Sequence, residues 1–468
     1  MLSILSLSLF GILTLFLGFL KSRRALLPAT LFFIAVAFAL NLLDWNQQYV
    51  YFRDMLRTNN LFTNFASIIL LTTFLTVAIS RSFGKDEEHT HPAEYYAIML
   101  FSVVGGLMMV GFENLIMLFI GLEILSVSMY ILTGSDKRSL RSNEAALKYF
   151  LMGAFATGIL LFGIALVYGA TGSFNLNAIG GYVTGGPVTG ISPLLYVGLL
   201  LILVGLLFKV SAAPFHFWTP DVYDGAPTLF TAFMSTIVKT AGFAALYKLL
   251  TVSFTGVYGL WWQVLTGITV LTLLVGNVTA VYQSSVKRML AYSSVSHAGY
   301  LLIALAAKTP QSPSAILFYS LAYSIATITA FAVLMLVSEQ KPLEGRPDER
   351  YEAFNGLGKR SPLLAFSLAV SMLSLAGVPL TAGFWGKFFV FSTAVDRGIN
   401  NMGMVLVVAV LMSVVGIYYY FRVVMASYLK TGDGEPIEIR PLYRLILVLT
   451  TVLTIGLGLF PDVVRHLF

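Results

Sequence analysis

Long apolar segments follow one another along the whole chain, with short polar stretches between them. A run of about 20 apolar residues is long enough to cross a bilayer as a helix. The pattern therefore predicts an all-α polytopic membrane protein with about 14 transmembrane helices. We number the predicted spans in chain order as 2–20, 25–43, 61–80, 94–112, 113–133, 143–168, 193–213, 226–250, 260–282, 286–306, 313–338, 362–395, 402–427 and 441–460.

Basic residues fall mostly in the loops that follow odd-numbered spans. Such loops are typically cytoplasmic, so the pattern predicts that both termini lie on the opposite side of the membrane. The loop after span 7 is an exception, because it carries Asp221 and Asp224 and no basic residue. The basic residues of the odd-numbered loops are Lys21, Arg23, Arg24, Lys137, Arg138, Arg141, Lys287, Arg288, Lys341, Arg346, Arg350, Lys359, Arg360, Lys430 and Arg440.

Two prolines interrupt predicted helices, Pro214 at the end of span 7 and Pro379 within span 12. Proline breaks a helix because it lacks a backbone donor and clashes with the preceding turn. Each break is the fourth span of a five-span block, and a second block of odd length enters the membrane from the other side, as in inverted-repeat transporters. Two ordinary proline kinks are the alternative. The predicted parts are three N-terminal spans (1–90), a first repeat (91–252), a second, inverted repeat (253–430) and a C-terminal span (431–468).

The composition agrees with a membrane protein, since 57% of the residues are hydrophobic and 11% are charged. Soluble domains carry roughly 25% charged residues. The net charge of +7 is explained by the loop asymmetry, so we expect membrane lipids and no nucleic acid as partners. Zero cysteines exclude disulfides, iron–sulfur ligation and thiol catalysis in this chain. Of five histidines, only His216 and His297 could lie at membrane depth, too few for a two-haem cytochrome.

Several charged side chains lie inside the predicted spans, where an unpaired charge is costly. Glu123 in span 5 and Lys209 in span 7 are predicted to face each other, because such a pair restores the charged form of both groups. Breaking the contact would switch their protonation. The alternative is a static ion pair that fixes helix packing.

Three more lysines lie within spans. Lys239 is central in span 8, and a buried lysine can accept and release protons; carbonyl contacts in a packing role are the alternative. Lys387 in span 12 is a candidate proton exit. Lys148 lies about a turn and a half inside span 6, where it either joins a proton path or extends to the cytoplasmic surface. Lys248, near the end of span 8, is expected to be an interfacial anchor.

The two histidines at depth add groups that exchange protons. His297 follows Ser293, Ser294 and Ser296, and hydroxyls with an imidazole can hold water and pass protons along hydrogen bonds. His216 lies two residues after the Pro214 break. A satisfied core histidine is the alternative at both positions. Together with the buried glutamate and lysines, these residues predict a proton relay through the membrane.

Five segments of the chain carry a family resemblance that covers residues 94 to about 430. They resemble the N subunit of bacterial NADH–quinone oxidoreductase, respiratory complex I, in the family of antiporter-like proton-translocating subunits. By motif, the resemblance implies that the membrane-plane proton path includes Glu123, Lys209, Lys239 and Lys387. The segments are GLEILSVSMYIL, SNEAALKYFLMGAFATGILLFGIALVYGATG, LFKVSAAPFHFWTPDVYDGAP, VKRMLAYSSVSHAGYLLIAL and AGFWGKF.

The resemblance implies a non-redox subunit of a proton-translocating NADH:quinone oxidoreductase, without catalytic activity alone and driven by quinone reduction elsewhere. It implies no cofactor in this chain, with flavin, iron–sulfur clusters and quinone in partner subunits. Expected partners are an M-type antiporter-like neighbour and the small membrane subunits near the quinone site. The D subunit of multisubunit sodium/proton antiporters is similar, but the stretch SNEAALKYF argues against it. A free-standing transporter would need a substrate-binding cluster, which the sequence lacks.

Overall fold

A computed structural model of the chain describes residues 1–20, 23–80, 92–185, 190–340, 342–343, 347–432 and 435–465. His89, His91 and His466, and the loop residues Lys21, Lys341 and Arg346, lie outside these ranges. The described residues are predominantly helical. The helices are α1 Leu2–Leu17, α2 Leu26–Leu42, α3 Asn60–Ala78, α4 Pro92–Gly111, α5 Leu115–Thr133, α6 Leu140–Thr171, α7 Leu176–Gly185, α8 Pro193–Lys209, α9 Trp218–Gly225, α10 Thr228–Phe233, α11 Lys239–Val252, α12 Tyr258–Val281, α13 Val286–Ala307, α14 Ser312–Ser338, α15 Leu357–Arg360, α16 Pro362–Ala376, α17 Ala382–Arg397, α18 Ile399–Leu429, α19 Pro441–Leu459 and α20 Asp462–Arg465.

The helices explain the apolar pattern. Among the described residues, ten helices are long and apolar enough to cross a membrane: α3, α4, α5, α6, the continuous stretch Thr228–Val252, the stretch Thr255–Val281, α13, α14, α18 and α19. Four shorter apolar helices, α1, α2, α8 and α16, accompany them. The chain is therefore a multi-pass membrane protein. Both predicted proline breaks are confirmed, since Pro214 lies between α8 and α9, and Pro379 lies between α16 and α17.

One element departs from the all-α prediction. Strands β1 (Tyr49–Tyr51) and β2 (Leu56–Thr58) form an antiparallel hairpin in which Tyr49 pairs with Thr58. The tight loop between the strands has positive φ at three successive residues, Phe52, Arg53 and Asp54. β1 consists of aromatic and β-branched residues, which favour strands. The segment lies between two spans, and apolar periodicity alone does not separate such a short hairpin from a polar loop.

The described chain divides into two compact units. The first contains Met1–Val210 and Ile237–Leu265, and the second contains Ser211–Thr236 and Thr266–Phe468. In the first unit, α6 packs along α8 and α4 packs along α5. A Cβ on Gly163 of α6 would lie 2.7 Å from the carbonyl oxygen of Gly198 on α8, so these two glycines allow close approach of the helices. In the second unit, α14 packs against α16 and α17, and α13 against α9.

A buried ion pair holds together four segments of the first unit. Lys248 Nζ lies 3.0 Å from Glu113 Oε1, and Arg57 Nε lies 3.3 Å from the same oxygen. Lys248 is 6% exposed and Glu113 is 4% exposed. The prediction that Lys248 is an interfacial anchor is therefore wrong. The backbone of Glu113 also pairs with Met55 of the hairpin and with Leu176, which brings a carboxylate to the end of α11.

We expect Glu113→Gln to destabilise the chain by about 3–5 kcal/mol, because it leaves the buried Lys248 ammonium without a counter-charge. Lys248→Met should cost a similar amount for the same reason. The double variant should be more stable than either single variant, since no unpaired charge stays buried and Arg57 can reach water. Thermal unfolding in detergent measures these differences.

The matched control is Glu144→Gln. Glu144 also pairs with a lysine, Lys148, but its side chain is 63% exposed, and an exposed helical ion pair contributes about 0.3–0.5 kcal/mol. If Glu113→Gln changed the unfolding temperature no more than Glu144→Gln does, the buried pair would not stabilise the fold.

Candidate functional site

Lys209 ends α8 at the first helix break, in the first unit. It is 3% exposed, and its Nζ donates to Ser126 Oγ at 2.8 Å and to Tyr149 OH at 3.2 Å. Nζ also lies 5.3 Å from the centre of the Tyr149 ring. A lysine at the C-terminal end of a helix is stabilised by the helix dipole. Two neutral hydroxyls and a helix end therefore hold the ammonium group.

Glu123 does not make the predicted direct contact with Lys209. Lys209 reaches Ser126 instead, which lies three residues after Glu123 on the same face of α5. Glu123 is near enough to interact electrostatically with Lys209. Its Oε1 atom is buried and has no hydrogen-bond partner among the described residues. The serine hydroxyl occupies the position that sequence reasoning assigned to the carboxylate.

Ser126 and Tyr149 are functional candidates that sequence reasoning missed. Both lie beside residues that it named, since Tyr149 follows Lys148 and Ser126 is one turn from Glu123. Helical spacing places i and i+3 on one face, which is a signal for Ser126. Tyr149 has no such signal, because the face of α6 that packs inward is decided by the tertiary fold.

Lys239 begins α11 directly after a π-helical stretch, Met234–Val238. It belongs to the first unit and is 2% exposed. π-Helical turns are rare and are frequently found at functional sites. The prediction that Lys239 lies deep in a packed helix is confirmed, whereas no sequence pattern indicated the π-helical turn.

His297 lies in the second unit between two tyrosines. Its Nδ1 is 2.7 Å from Tyr319 OH, and its Nε2 is 3.0 Å from Tyr420 OH. Tyr420 OH also hydrogen-bonds Ser293 Oγ. Each imidazole nitrogen thus has a hydroxyl that can donate or accept a proton. Ser293 was predicted to belong to this cluster, and the two tyrosines from α14 and α18 were not.

Lys387 lies at the second helix break. Its Nζ donates to the carbonyl oxygen of Ala376, the last residue of α16, at 2.7 Å. It also lies 4.7 Å from the centre of the Tyr300 ring. The lysine thereby satisfies a carbonyl that the break leaves without a helical partner. Lysine is predicted near this break, and the structure shows what it binds there.

His297 and Lys387 line one cavity in the second unit. The cavity has a volume of about 10 Å³, and Tyr319, Tyr323 and Ser374 are also part of its wall. A space of roughly this size holds a single water molecule. The imidazole and the ammonium group therefore share a space in which one water could connect them.

Two predicted relay residues are placed less favourably. His216 is 6% exposed, its ring lies 4.6 Å from the Phe217 ring, and its Nδ1 has no hydrogen-bond partner among the described residues. The side chain of Lys148 is 43% exposed and lies 2.7 Å from Glu144. Successive residues of a helix point about 100° apart. Because Tyr149 faces Lys209, Lys148 turns away from it, and the structure does not bring Lys148 into the cluster.

The acidic loop after span 7 is also explained. Arg288 lies 3.2 Å from an Asp221 oxygen and 3.7 Å from an Asp224 oxygen. Lys287 is buried, lies 3.0 Å from Glu349 Oε1, and donates to the Asp224 carbonyl oxygen at 3.2 Å. The loop needs no basic residue of its own, because Arg288, in the first turn of α13, neutralises its carboxylates.

The chain is similar in sequence to one family of known proteins over most of its length. The family model described as NADH:quinone oxidoreductase/Mrp antiporter, TM, matches residues 113–413. NADH-quinone oxidoreductase subunit N of Flavobacterium psychrophilum is 39% identical over 466 residues, which is 99% of each chain. The protein of the same name from Cytophaga hutchinsonii is 41% identical over 469 residues, again 99% of each chain.

Solved structures share the fold. A chain of respiratory complex I from Thermus thermophilus with bound aureothin matches with a TM-score of 0.85 and 36% identity, over 99% of this chain and 98% of that one. A chain of the archaeal membrane-bound sulfane sulfur reductase matches with a TM-score of 0.86 and 26% identity, over 100% of this chain and 95% of that one. A chain of the Mrp complex from Dietzia matches with a TM-score of 0.86 and 20% identity, over 100% of this chain and 96% of that one. At this identity the match shows a common fold alone.

Proposed function

Because the chain belongs to the family of NADH-quinone oxidoreductase subunit N, the antiporter-like membrane subunits of respiratory complex I, we propose that it translocates protons, driven by quinone reduction in other subunits. One observation carries this proposal. Each of the three lysines that we place in the relay lies where a helix is interrupted: Lys209 ends α8, Lys239 follows the π-helical turn, and Lys387 binds the end of α16. Interrupted helices at depth are where transporters hold their coupling ions.

The proposed relay runs through Glu123, Lys209, Lys239, His297 and Lys387. Lysine can release its proton when burial makes the charged form unfavourable. The partners seen at Lys209 and Lys387 are hydroxyls and a carbonyl oxygen, which do not lock the ammonium group as a carboxylate would. His216, buried beside the first break, is a further candidate for the same relay, and Lys148 is not retained.

We also propose fourteen membrane crossings with two inverted five-helix repeats, residues 91–252 and 253–430. Matching backbone contacts support the repeats. Asn114, directly before α5, forms a bridge with Asn175, and Ser285, directly before α13, forms a bridge with Arg350. Both helices are the second of their block, and both partners lie in the segment after the third helix. The same local pairing in both blocks is expected if one is a copy of the other.

The proposed setting is the inner membrane of a bacterium, with both termini on the periplasmic side. The proposed partners are the other subunits of complex I, among them an M-type antiporter-like neighbour and the small membrane subunits near the quinone site. Flavin, iron–sulfur clusters and quinone would be bound by those partners. In the described residues, no three His, Asp or Glu side chains come together as a metal site.

A role in a multisubunit sodium/proton antiporter is less well supported. The similarity to the Mrp complex chain extends to the fold only, whereas relatives named as subunit N are similar in sequence over almost the whole chain. Mild purification of the native chain would distinguish the two assemblies, because complex I contains redox subunits and an antiporter does not.

Lys239→Arg distinguishes a relay from a fixed positive charge. Arginine keeps its charge because its pKa is above about 12, so the variant preserves the local field and should still block proton transfer. We expect Lys239→Arg and Lys239→Ala to lose proton pumping alike, measured as quinone-linked acidification of sealed vesicles. An assembled Lys239→Arg complex with a normal gradient would show that Lys239 supplies only charge.

Ser126→Ala tests the hydroxyl that holds Lys209. Losing a hydrogen bond to a charged group costs about 1.5–3 kcal/mol, so proton pumping should slow by about tenfold or more. Ser128→Ala on the same helix is the control, since within the part of the chain that the structure describes Ser128 Oγ donates to the Ile124 carbonyl oxygen of its own helix and does not contact Lys209. Equal pumping rates in the two variants would remove Ser126 from the proposed site.

A further inference from the structure

The last long helix, α19, packs directly against the second helix break. It contacts both α16 and α17, the helices on either side of that break. A Cβ on Gly458 of α19 would overlap the carbonyl oxygen of Leu380 and would lie 2.6 Å from Thr381 Cα. Leu380 and Thr381 belong to the short connection between α16 and α17. α19 can therefore lie this close to the connection only because residue 458 has no side chain.

One side-chain hydrogen bond joins α17 to α19 at the same place. The indole Nε1 of Trp385 donates to the carbonyl oxygen of Gly458 at 2.8 Å. This oxygen belongs to the last turn of α19, whose carbonyl groups have no partner within their own helix. Trp385 lies in the first turn of α17, which begins at Ala382. The bond therefore ties the start of α17 to the end of α19.

Lys387 faces the opposite side of α17 from Trp385. The two residues are two positions apart, and successive side chains of a helix are turned by about 100°. On its side, Lys387 Nζ donates to the carbonyl oxygen of Ala376 at 2.7 Å. A Cβ on Gly377 would lie 2.7 Å from Lys387 Cδ, so the lysine stem passes through space that this glycine leaves open. α17 is thus held by Trp385 on one side and by Lys387 on the other.

The two bonds differ in how they depend on a proton. A charged donor makes a stronger hydrogen bond than a neutral one, so the bond from Lys387 to Ala376 weakens when the ammonium group gives up its proton. The indole N–H of Trp385 only donates and keeps its proton throughout. The bond to Gly458 therefore keeps α17 in place while Lys387 exchanges its proton.

We propose that Trp385 is a positioning residue for Lys387, and that α19 is the fixed support to which Trp385 binds. The inference rests on the proposed proton-translocating function. It gives a part in that function to α19, which lies outside both proposed repeats. The indole bond fixes the rotation of α17 about its axis, so that Lys387 returns to the same carbonyl oxygen after each proton transfer.

Trp385→Phe tests this role because it removes the indole N–H and keeps an aromatic ring. Without the bond, the aligned position of Lys387 is less populated. We expect quinone-linked proton pumping by the assembled complex in sealed vesicles to slow by about two- to tenfold, as for the loss of one hydrogen bond. The slower pumping should also show a larger solvent isotope effect in heavy water, because proton transfer at Lys387 then limits the rate. A loss of stability alone would reduce the number of working complexes and leave the isotope effect unchanged.

Trp261→Phe is the matched control. Trp261 Nε1 also donates to a backbone carbonyl oxygen, that of Phe254, at 2.8 Å, and no relay residue takes part in that contact. This variant should leave both the pumping rate and the isotope effect as they are in the unsubstituted complex. Equal isotope effects in Trp385→Phe and Trp261→Phe would overturn the positioning role.

Gly458→Ala tests the support from the side of α19. Its methyl group would push α19 away from Leu380 and the indole, so pumping should slow at least as much as in Trp385→Phe. Gly456→Ala on the same helix is the control, because a Cβ there meets no atom within 4 Å. Equal pumping rates in the two alanine variants would show that the close packing of α19 does not position Lys387.

Lys387→Ala separates a failure of this inference from a failure of the proposed function. If protons pass through Lys387, this variant should lose pumping whether or not Trp385 positions the lysine. Loss of pumping in Lys387→Ala, together with normal pumping in Trp385→Phe, would disprove only the positioning role. Normal pumping in Lys387→Ala would disprove the proposed part of this lysine in the relay, and the inference with it.

Discussion

An ammonium group inside an apolar helix bundle must have polar atoms beside it, and the structure depends on how this requirement is met. A helix interior offers none, because its backbone groups are already paired. Each interruption of a helix releases carbonyl oxygens that need a donor. Lys387 donates to the carbonyl of Ala376 at such a place. At this break the lysine and the released carbonyl oxygen therefore stabilise each other.

The buried lysines fall into two groups according to what they bind. Lys248 and Lys287 pair with the carboxylates of Glu113 and Glu349. Lys209 and Lys387 bind hydroxyls and a carbonyl oxygen instead. A carboxylate favours the charged form of a lysine, and neutral partners do so much less. The first group is suited to joining segments, and the second to exchanging protons.

The fold by itself does not determine what a chain of this kind does. Chains of a complex I, of a sulfane sulfur reductase and of an Mrp complex adopt folds similar to this one. What such chains can do depends on particular side chains placed on the common scaffold. In the relay that we propose here, these are a glutamate, lysines and a histidine, and tyrosines and serines are among their neighbours. The driving reaction belongs to whatever is assembled around the chain.

Much of the fold follows from the sequence alone. Runs of apolar residues of bilayer length predict the helices, and Pro214 and Pro379 predict both breaks, because a proline interrupts the backbone hydrogen bonds wherever it stands. The depth of Lys209, Lys239, His297 and Lys387 was predictable for a related reason, since their neighbours along the chain are apolar. The short hairpin was not, because six strand residues carry too little pattern.

Only the tertiary structure decided what these side chains bind. Apolar periodicity predicts which residues are helical, but in a segment that is apolar all round it does not indicate which face meets which neighbour. Ser126 therefore took the place expected for Glu123, Tyr149 turned inward while Lys148 turned outward, and Lys248 met Glu113 from a distant segment. The partners of a buried charge come from other helices, and their positions are determined by packing, which no local stretch of sequence records.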